Sequence, residues 1–317
     1  MNFTRKSFNK LLLISLSSAL LMACTSQHAD TLTQRLQTLH LHLLDTVSAV
    51  DRIACALYDA QEDTLKTFIN STRAGEAITG YEYKLSASQT LSELAASGEF
   101  RVLDNIEQAL QSDTGHTTWL REQGYRSSFT VPIYDGGNLT GFVFFDSMQA
   151  GAFTAELQRD LVLYTNLISM AIAREMSAVR SVLDVTRVAR ELTEIRDFET
   201  GSHLERMARY SRVIARAVAP RYGRNDEFVE CVYLFSSLHD IGKIGIPDSI
   251  LLKPGKLTVE EFEVMKTHTT LGRNAIEEAE RRLGMRVAFL SVSKEIAYSH
   301  QEKWDGTGYP QGLAGDA

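Results

Sequence analysis

The sequence predicts an α+β domain followed by an all-α helical domain, and three observations carry that reading. Segments 128–134 and 139–146 are apolar and β-rich and meet across Asp135-Gly136-Gly137-Asn138, a hairpin signal. From 152 to 200 there is neither Gly nor Pro, and apolar residues recur three and four apart, as along a helix. Beyond that stretch the readable segments are helical, with histidines and acids standing at successive helix ends.

Taken in order, Leu32, Leu36, Leu39, Leu43 and Leu44 mark a first helix. Segments 52–58 and 64–70 read as strands separated by an acidic turn. Residues 86–97 read as a helix and 119–124 as the end of another, before the hairpin. The long helix carries Leu157, Leu161, Tyr164, Ile168, Ile172, Met176, Val179 and Leu183, then after a slip Val185, Val188, Leu192 and Ile195. This stripe is either the seam of a parallel homodimer that relays a signal or the core-facing side of a single helix.

A length of 317 residues leaves room for two domains with proper cores. The net charge of -7 argues against DNA as partner, because phosphate-backbone binding depends on clustered Lys and Arg. A small phosphorylated ligand remains compatible, since metal ions supply positive charge locally. Cys24, Cys55 and Cys231 are odd in number and scattered, unlike a disulfide framework; the last two sit in apolar runs as core residues do. At the start, Arg5, Lys6 and Lys10 precede an apolar run over 11–23, shorter than the ~20 residues of a membrane span. Residues 1–29 therefore read as a leader, and Leu21-Met22-Ala23-Cys24 resembles a lipoprotein cleavage box. The alternatives are a lipoprotein anchored at Cys24, or a chain that begins at Met22 and works in the cytoplasm, with or without a membrane tether.

Glu199 and His203 lie four apart, on one face of a continuing helix. His239-Asp240 end an apolar segment, 234–238, and two adjacent buried ionisable residues are costly without a charge between them. Lys243 falls one turn on and can face the same cavity. Thr258 and Glu261 form a capping box for a helix expected to deliver His268 at its far end, and His300 closes a helical stretch over 292–298. Imidazoles and carboxylates are the side chains that most readily share a divalent ion, so this set points to metal-assisted hydrolysis of a phosphoester.

Two family resemblances follow. Phe129-Thr130-Val131-Pro132 with Gly141-Phe142-Val143-Phe144-Phe145 resembles a GAF domain, giving an α+β GAF-like sensor domain over 30–175. Such domains bind cyclic nucleotides, haem, tetrapyrroles or nothing, and no ligand signature is legible here. After a linker helix at 176–198, residues 187–317 resemble an HD-GYP domain, a branch of the HD-type metal phosphohydrolases. That resemblance rests on Glu199-Thr200-Gly201-Ser202-His203, His239-Asp240-Ile241-Gly242-Lys243, Lys266-Thr267-His268 with Gly272, and Trp304-Asp305-Gly306-Thr307-Gly308-Tyr309-Pro310. It implies hydrolysis of cyclic di-GMP to pGpG, and in some members to GMP, at two or three divalent ions, iron or manganese. His203, His239 and Asp240 would hold one ion; Asp240, His268 and His300 a second; Glu199 would recruit a third. Lys243 would stabilise phosphoryl charge, Tyr309 would orient a guanine, and Asp197 would touch substrate, while Asp305 and Gly306 look structural. Two departures stand out. Gln301 occupies a position where the family has a second His, and related domains continue past the equivalent of Ala317 with an Asp for the first metal shell, so the helical domain is expected to be incomplete. The competing expectations are a non-catalytic module that binds cyclic di-GMP or a protein, and an HD phosphohydrolase for another nucleotide.

Overall fold

The computed structural model describes residues 31–45, 47–73, 75–109, 115–193, 201–283 and 288–315. The leader at 1–29, Asp197 and Glu199 lie outside them. The chain forms two compact units, one through Ala173 and one from Arg174.

The first unit is built on a six-stranded antiparallel sheet: β1 Arg52–Asp59, β2 Thr64–Thr72, β3 Glu82–Lys84, β4 Arg101–Leu103, β5 Ser127–Asp135 and β6 Asn138–Ser147, in the order β3-β2-β1-β6-β5-β4. The hairpin expected from sequence is β5–β6. Asp135 pairs with Asn138, so Gly136-Gly137 form a two-residue loop, and their φ values of 56° and 83° are those of the turn whose twist matches the strands. Strands β3 and β4 were not foreseen, because three residues are too few for alternation to register. The helix expected from residue 86 is a 3₁₀ turn, Leu85–Ala87, followed by a helix Gln89–Ser97 that Ser88 caps through Leu91 N–H. The segment ending at 124 is the helix Gly115–Glu122.

One sheet face buries Ile53, Phe129 and Phe145, with the Phe129 ring 5.9 Å from Phe145 and 6.0 Å from Phe153. The helix Leu32–Leu44 packs on β2 and buries Leu32, Leu36 and Leu43. His40 on the same helix is a core histidine, its ring nitrogens 2.8 Å from Ser71 Oγ and 3.0 Å from the Val50 carbonyl. The long helix runs Ala155–Thr193 and buries Leu157, Leu161, Tyr164, Ile168 and Ile172, the stripe read from spacing. Cys55 and Cys231 are buried free thiols, and burial pushes both above the usual thiol range.

The second unit is helical, with helices Gly201–Val218, Asp226–Phe235, Asp248–Leu251, Val259–Lys266, His268–Leu283 and Ala288–Ser299. Its described residues include no strand, only the isolated bridge between Asp305 and Ala314. Gly201–Val218 packs against Asp226–Phe235, and His268–Leu283 against Ala288–Ser299. Among the described residues no helix is long and apolar enough to cross a membrane.

Gly141 on β6 faces Leu57 beside a bulge in β1, and a Cβ there would lie 1.9 Å from the Ala56 carbonyl oxygen. Gly141→Ala should therefore cost about 1–3 kcal/mol, the usual range for overpacking. Urea unfolding checks this; an unchanged midpoint would show that the two backbones can part freely.

Candidate metal centre

Asn225 caps Asp226–Phe235 by accepting the Phe228 N–H, and the helix then tightens into a 3₁₀ turn, Ser236–Leu238. That turn, rather than a continuing α-helix, delivers His239 and Asp240. A second 3₁₀ turn, Ile241–Gly245, follows and carries Lys243. The Thr258 capping box forms as expected: Thr258 Oγ accepts from Glu261 N–H at 3.2 Å, and Glu261 accepts from Thr258 N–H at 2.7 Å. Its helix ends at Lys266, however. Thr267 turns its hydroxyl back to the Val264 carbonyl, and His268 opens the next helix instead of closing this one. His300 directly follows Ala288–Ser299.

These segments converge on Asp240. Its Oδ2 lies 3.0 Å from His239 Nε2 and 2.9 Å from Lys243 Nζ; its Oδ1 lies 3.4 Å from His268 Nε2 and 3.5 Å from His300 Nε2. Among the described residues Asp240, His268 and His300 offer three ligand atoms within 4.8 Å of one another. Each imidazole is oriented in the same way. His239, His268 and His300 direct Nδ1 at the carbonyl three residues earlier, that of Ser236, Met265 and Ala297, at 2.9, 2.7 and 3.1 Å. A carbonyl only accepts, so Nδ1 carries a proton, and in the neutral ring Nε2 is the nitrogen left with a lone pair. His268 Nε2 and His300 Nε2 then stand 3.1 Å apart, lone pair to lone pair, with Asp240 Oδ1 buried beside them and lacking a hydrogen-bond donor. Such an arrangement is repulsive unless a cation lies within it, and a divalent ion fits the donor set.

Burial would raise the carboxyl of Asp240, but contacts from His239 and His300 and the charge of Lys243 outweigh it. They hold the group well below the usual carboxylate range. Burial also draws His268 below the usual histidine range, which favours the neutral form that can coordinate.

His203 lies in the first turn of Gly201–Val218, a helix that packs against the Ser236–Leu238 turn. Its side chain, like Glu199 and Asp197, is outside the described residues. Tyr309 sits edge-on to His268, with ring centroids 6.2 Å apart, and to Phe262 at 6.1 Å. Its loop is tightly fixed. The Gln301 carbonyl accepts the Tyr309 N–H, and a Cβ on Gly308 would lie 2.4 Å from Lys303 N. Asp305 accepts from the N–H and hydroxyl of Thr307, at 3.0 and 2.7 Å.

Sequence reasoning gave three residues here no role in the site. The Glu302 carboxylate gathers the N–H groups of Gln311, Gly312 and Leu313 and so anchors the loop. Phe262 and Lys266 flank Tyr309, with Lys266 Nζ 5.3 and 5.8 Å from the Phe262 and Tyr309 ring centroids. The capping box located the helix of Phe262 and Lys266, but nothing in the spacing said which face meets Tyr309.

The glycines set how closely the parts approach. A Cβ on Gly242 would lie 1.9 Å from the His268 carbonyl oxygen and 2.5 Å from Gly272 N. Gly242→Ala should push the Asp240 turn away from His268, lowering stability by about 1–3 kcal/mol and releasing bound metal. Elemental analysis beside urea unfolding checks both; parental metal content and midpoint would disprove the close-approach account.

Comparison with known proteins agrees with this geometry. Residues 188–317 match the family model of the HD domain, and residues 30–172 that of the GAF domain. A Vibrio cholerae protein named cyclic di-GMP phosphodiesterase is 45% identical over 163 residues, covering 50% of this chain and 33% of the relative. A probable cyclic di-GMP phosphodiesterase of the same organism is 50% identical over 129 residues, covering 39% and 29%. A third Vibrio cholerae relative, 3′3′-cGAMP-specific phosphodiesterase 2, is 39% identical over 145 residues, covering 44% and 26%. The chain thus spans a third or less of the length of these relatives. Residues 30–172 are a GAF domain and residues 188–317 an HD domain.

Proposed function

We propose that the HD domain is a metal-dependent phosphodiesterase that opens cyclic di-GMP to linear pGpG under control of the GAF domain. One observation carries the reading: three imidazoles, each fixed by a backbone carbonyl, turn their Nε2 atoms toward one half-buried carboxylate. Asp240, His268 and His300 would hold one divalent ion, and His239 with Asp240 and His203 another, with Glu199 available to a third. When bound, such ions supply Lewis acidity toward a phosphoryl oxygen and acidify water.

The chain's own groups do the rest. Lys243, paired to Asp240 at 2.9 Å, places a positive charge at the edge of the site for phosphoryl oxygens. Tyr309, Phe262 and Lys266 form an aromatic and cationic ledge beside His268, suited to a purine face. Asp197 joins substrate binding in this reading. The long helix Ala155–Thr193 leads out of the GAF domain and would pair with a second copy to pass on its state.

A second reading has a specific basis: Gln301 is at best a weak neutral ligand, which favours a module that binds a cyclic dinucleotide without cleaving it. The 3′3′-cGAMP-specific relative makes that dinucleotide the other substrate to assay.

With manganese, the purified protein should convert cyclic di-GMP to pGpG, resolved by chromatography, and a chelator should stop it. Asp240→Ala should lower kcat/KM at least ~100-fold, more than loss of an outer-shell partner costs. Binding without turnover would move the assignment to the second reading, and full activity of Asp240→Ala would end the metal mechanism. Gln301→His should raise metal content or turnover; if both stay at parental levels, Gln301 is not what limits the site.

A further inference from the structure

The GAF domain contains a cavity of about 290 Å³. It lies between the sheet face opposite Ile53 and Phe145 and the segments 78–91 and 116–120. Among the described residues its wall carries two guanidiniums, Arg52 and Arg101, and no carboxylate. Arg52 is nearly inaccessible and pairs with Asp146, whose other oxygen accepts from Ser128. Arg101 also feels Asp146, but its hydrogen bonds go to neutral hydroxyls, those of Thr90 at 2.9 Å and Thr130 at 3.4 Å. Two guanidiniums around one carboxylate leave one positive charge over. Moreover, Nε of both Arg52 and Arg101 is buried without a hydrogen-bond partner. Beside them His116 is held near a pKa of about 4 by burial and by Arg52, so it adds a neutral imidazole and no further charge. The rest of the wall mixes neutral polar residues, such as Gln89, Thr90 and Thr117, with apolar and aromatic ones, such as Leu65, Phe144 and Tyr81.

Arg101 is half-buried, and a guanidinium partly withdrawn from water with only neutral hydrogen-bond partners is best completed by an anion. The volume sits at the low end for ligand sites, which favours a small ligand over a tetrapyrrole or a cyclic dinucleotide. We propose that this cavity binds a small organic anion, its carboxylate or phosphate on Arg101 and Arg52 and its flat apolar body against Phe144 and Tyr81.

The probes are benzoate and phenyl phosphate, with benzamide and benzylamine as neutral and cationic controls, read on the whole chain by thermal unfolding and calorimetry. At millimolar concentration at least one anion should raise Tm by about 2 °C, and which one does so separates carboxylate from phosphate. Neither control should shift it. Arg101→Gln should weaken the anion at least tenfold while leaving the ligand-free Tm no lower than the parent's, because it removes a half-buried charge that no carboxylate bonds. Arg101→Lys should retain binding. The proposal is overturned if neither anion shifts Tm, if benzamide matches them, or if Arg101→Gln binds as the parent does. It also falls if Arg101→Gln lowers the ligand-free Tm, since Arg101 would then serve the fold alone.

Discussion

The HD domain depends on how the Asp240 carboxylate is kept charged inside protein. A carboxylate removed from water is stable only when opposite charge and hydrogen bonds replace its hydration. Lys243 provides one full charge at 2.9 Å, on Oδ2. The other oxygen, Oδ1, faces His268 and His300 and has no hydrogen-bond donor. Those imidazoles are attractive neighbours only when a proton or a metal ion lies between them and the oxygen. A proton would suit one contact at a time, whereas a divalent ion satisfies the carboxylate and both Nε2 atoms together. The same atoms that destabilise the empty arrangement therefore select its occupant.

Helix ends make this arrangement reproducible. The last carbonyls of a helix have no intrahelical donor, and they carry the negative end of its dipole. Met265 and Ala297 lie in the last turns of Val259–Lys266 and Ala288–Ser299, and Ser236 opens the 3₁₀ turn that prolongs Asp226–Phe235. Each of these carbonyls takes the Nδ1 proton of the histidine three residues on. One contact thus engages a helix-end carbonyl, fixes a tautomer and aims a lone pair. Three negative helix ends around one point also favour a cation there, before any ligand atom is counted. Gly242 lets the Asp240 turn come within backbone contact of His268, which closes the set.

Much of this was legible because it depends on residue type. The Asp135–Asn138 turn, the 155–172 stripe and the Thr258–Glu261 box announce themselves through local chemistry, and His239, Asp240, His268 and His300 through ligand chemistry. The carbonyl partners were not legible, since every residue has a carbonyl and only the path of the chain selects Ser236, Met265 and Ala297. The placement of His268 failed for a related reason. Nothing in the composition of 259–283 marks a break at Thr267, whose hydroxyl ends one helix by bonding back to Val264. Strands β3 and β4 escaped because three residues hold too little pattern, although β4 places Arg101 on the cavity wall.

The GAF cavity shows why a binding site can be silent in sequence while a metal centre is not. Its charged groups come from β1 and β4, balanced by a carboxylate on β6, with Asp146 the register partner of both Arg52 and Ser128. No two of those residues are close in the chain, and each alone is an ordinary arginine, serine or aspartate. Only the cross-strand register reveals that Arg52 consumes the Asp146 charge and leaves Arg101 without a carboxylate. Both domains then share one physical signature: a buried polar atom left unsatisfied where a single further group would complete it. In the HD domain the atom is Asp240 Oδ1, which calls for a cation. In the GAF domain it is the arginine Nε pair, which calls for an anion. An unsatisfied atom alone does not imply a ligand, since Thr72 and Ser293 hydroxyls share that state; at Asp240 and at the two arginines the surrounding groups also suit the missing ion.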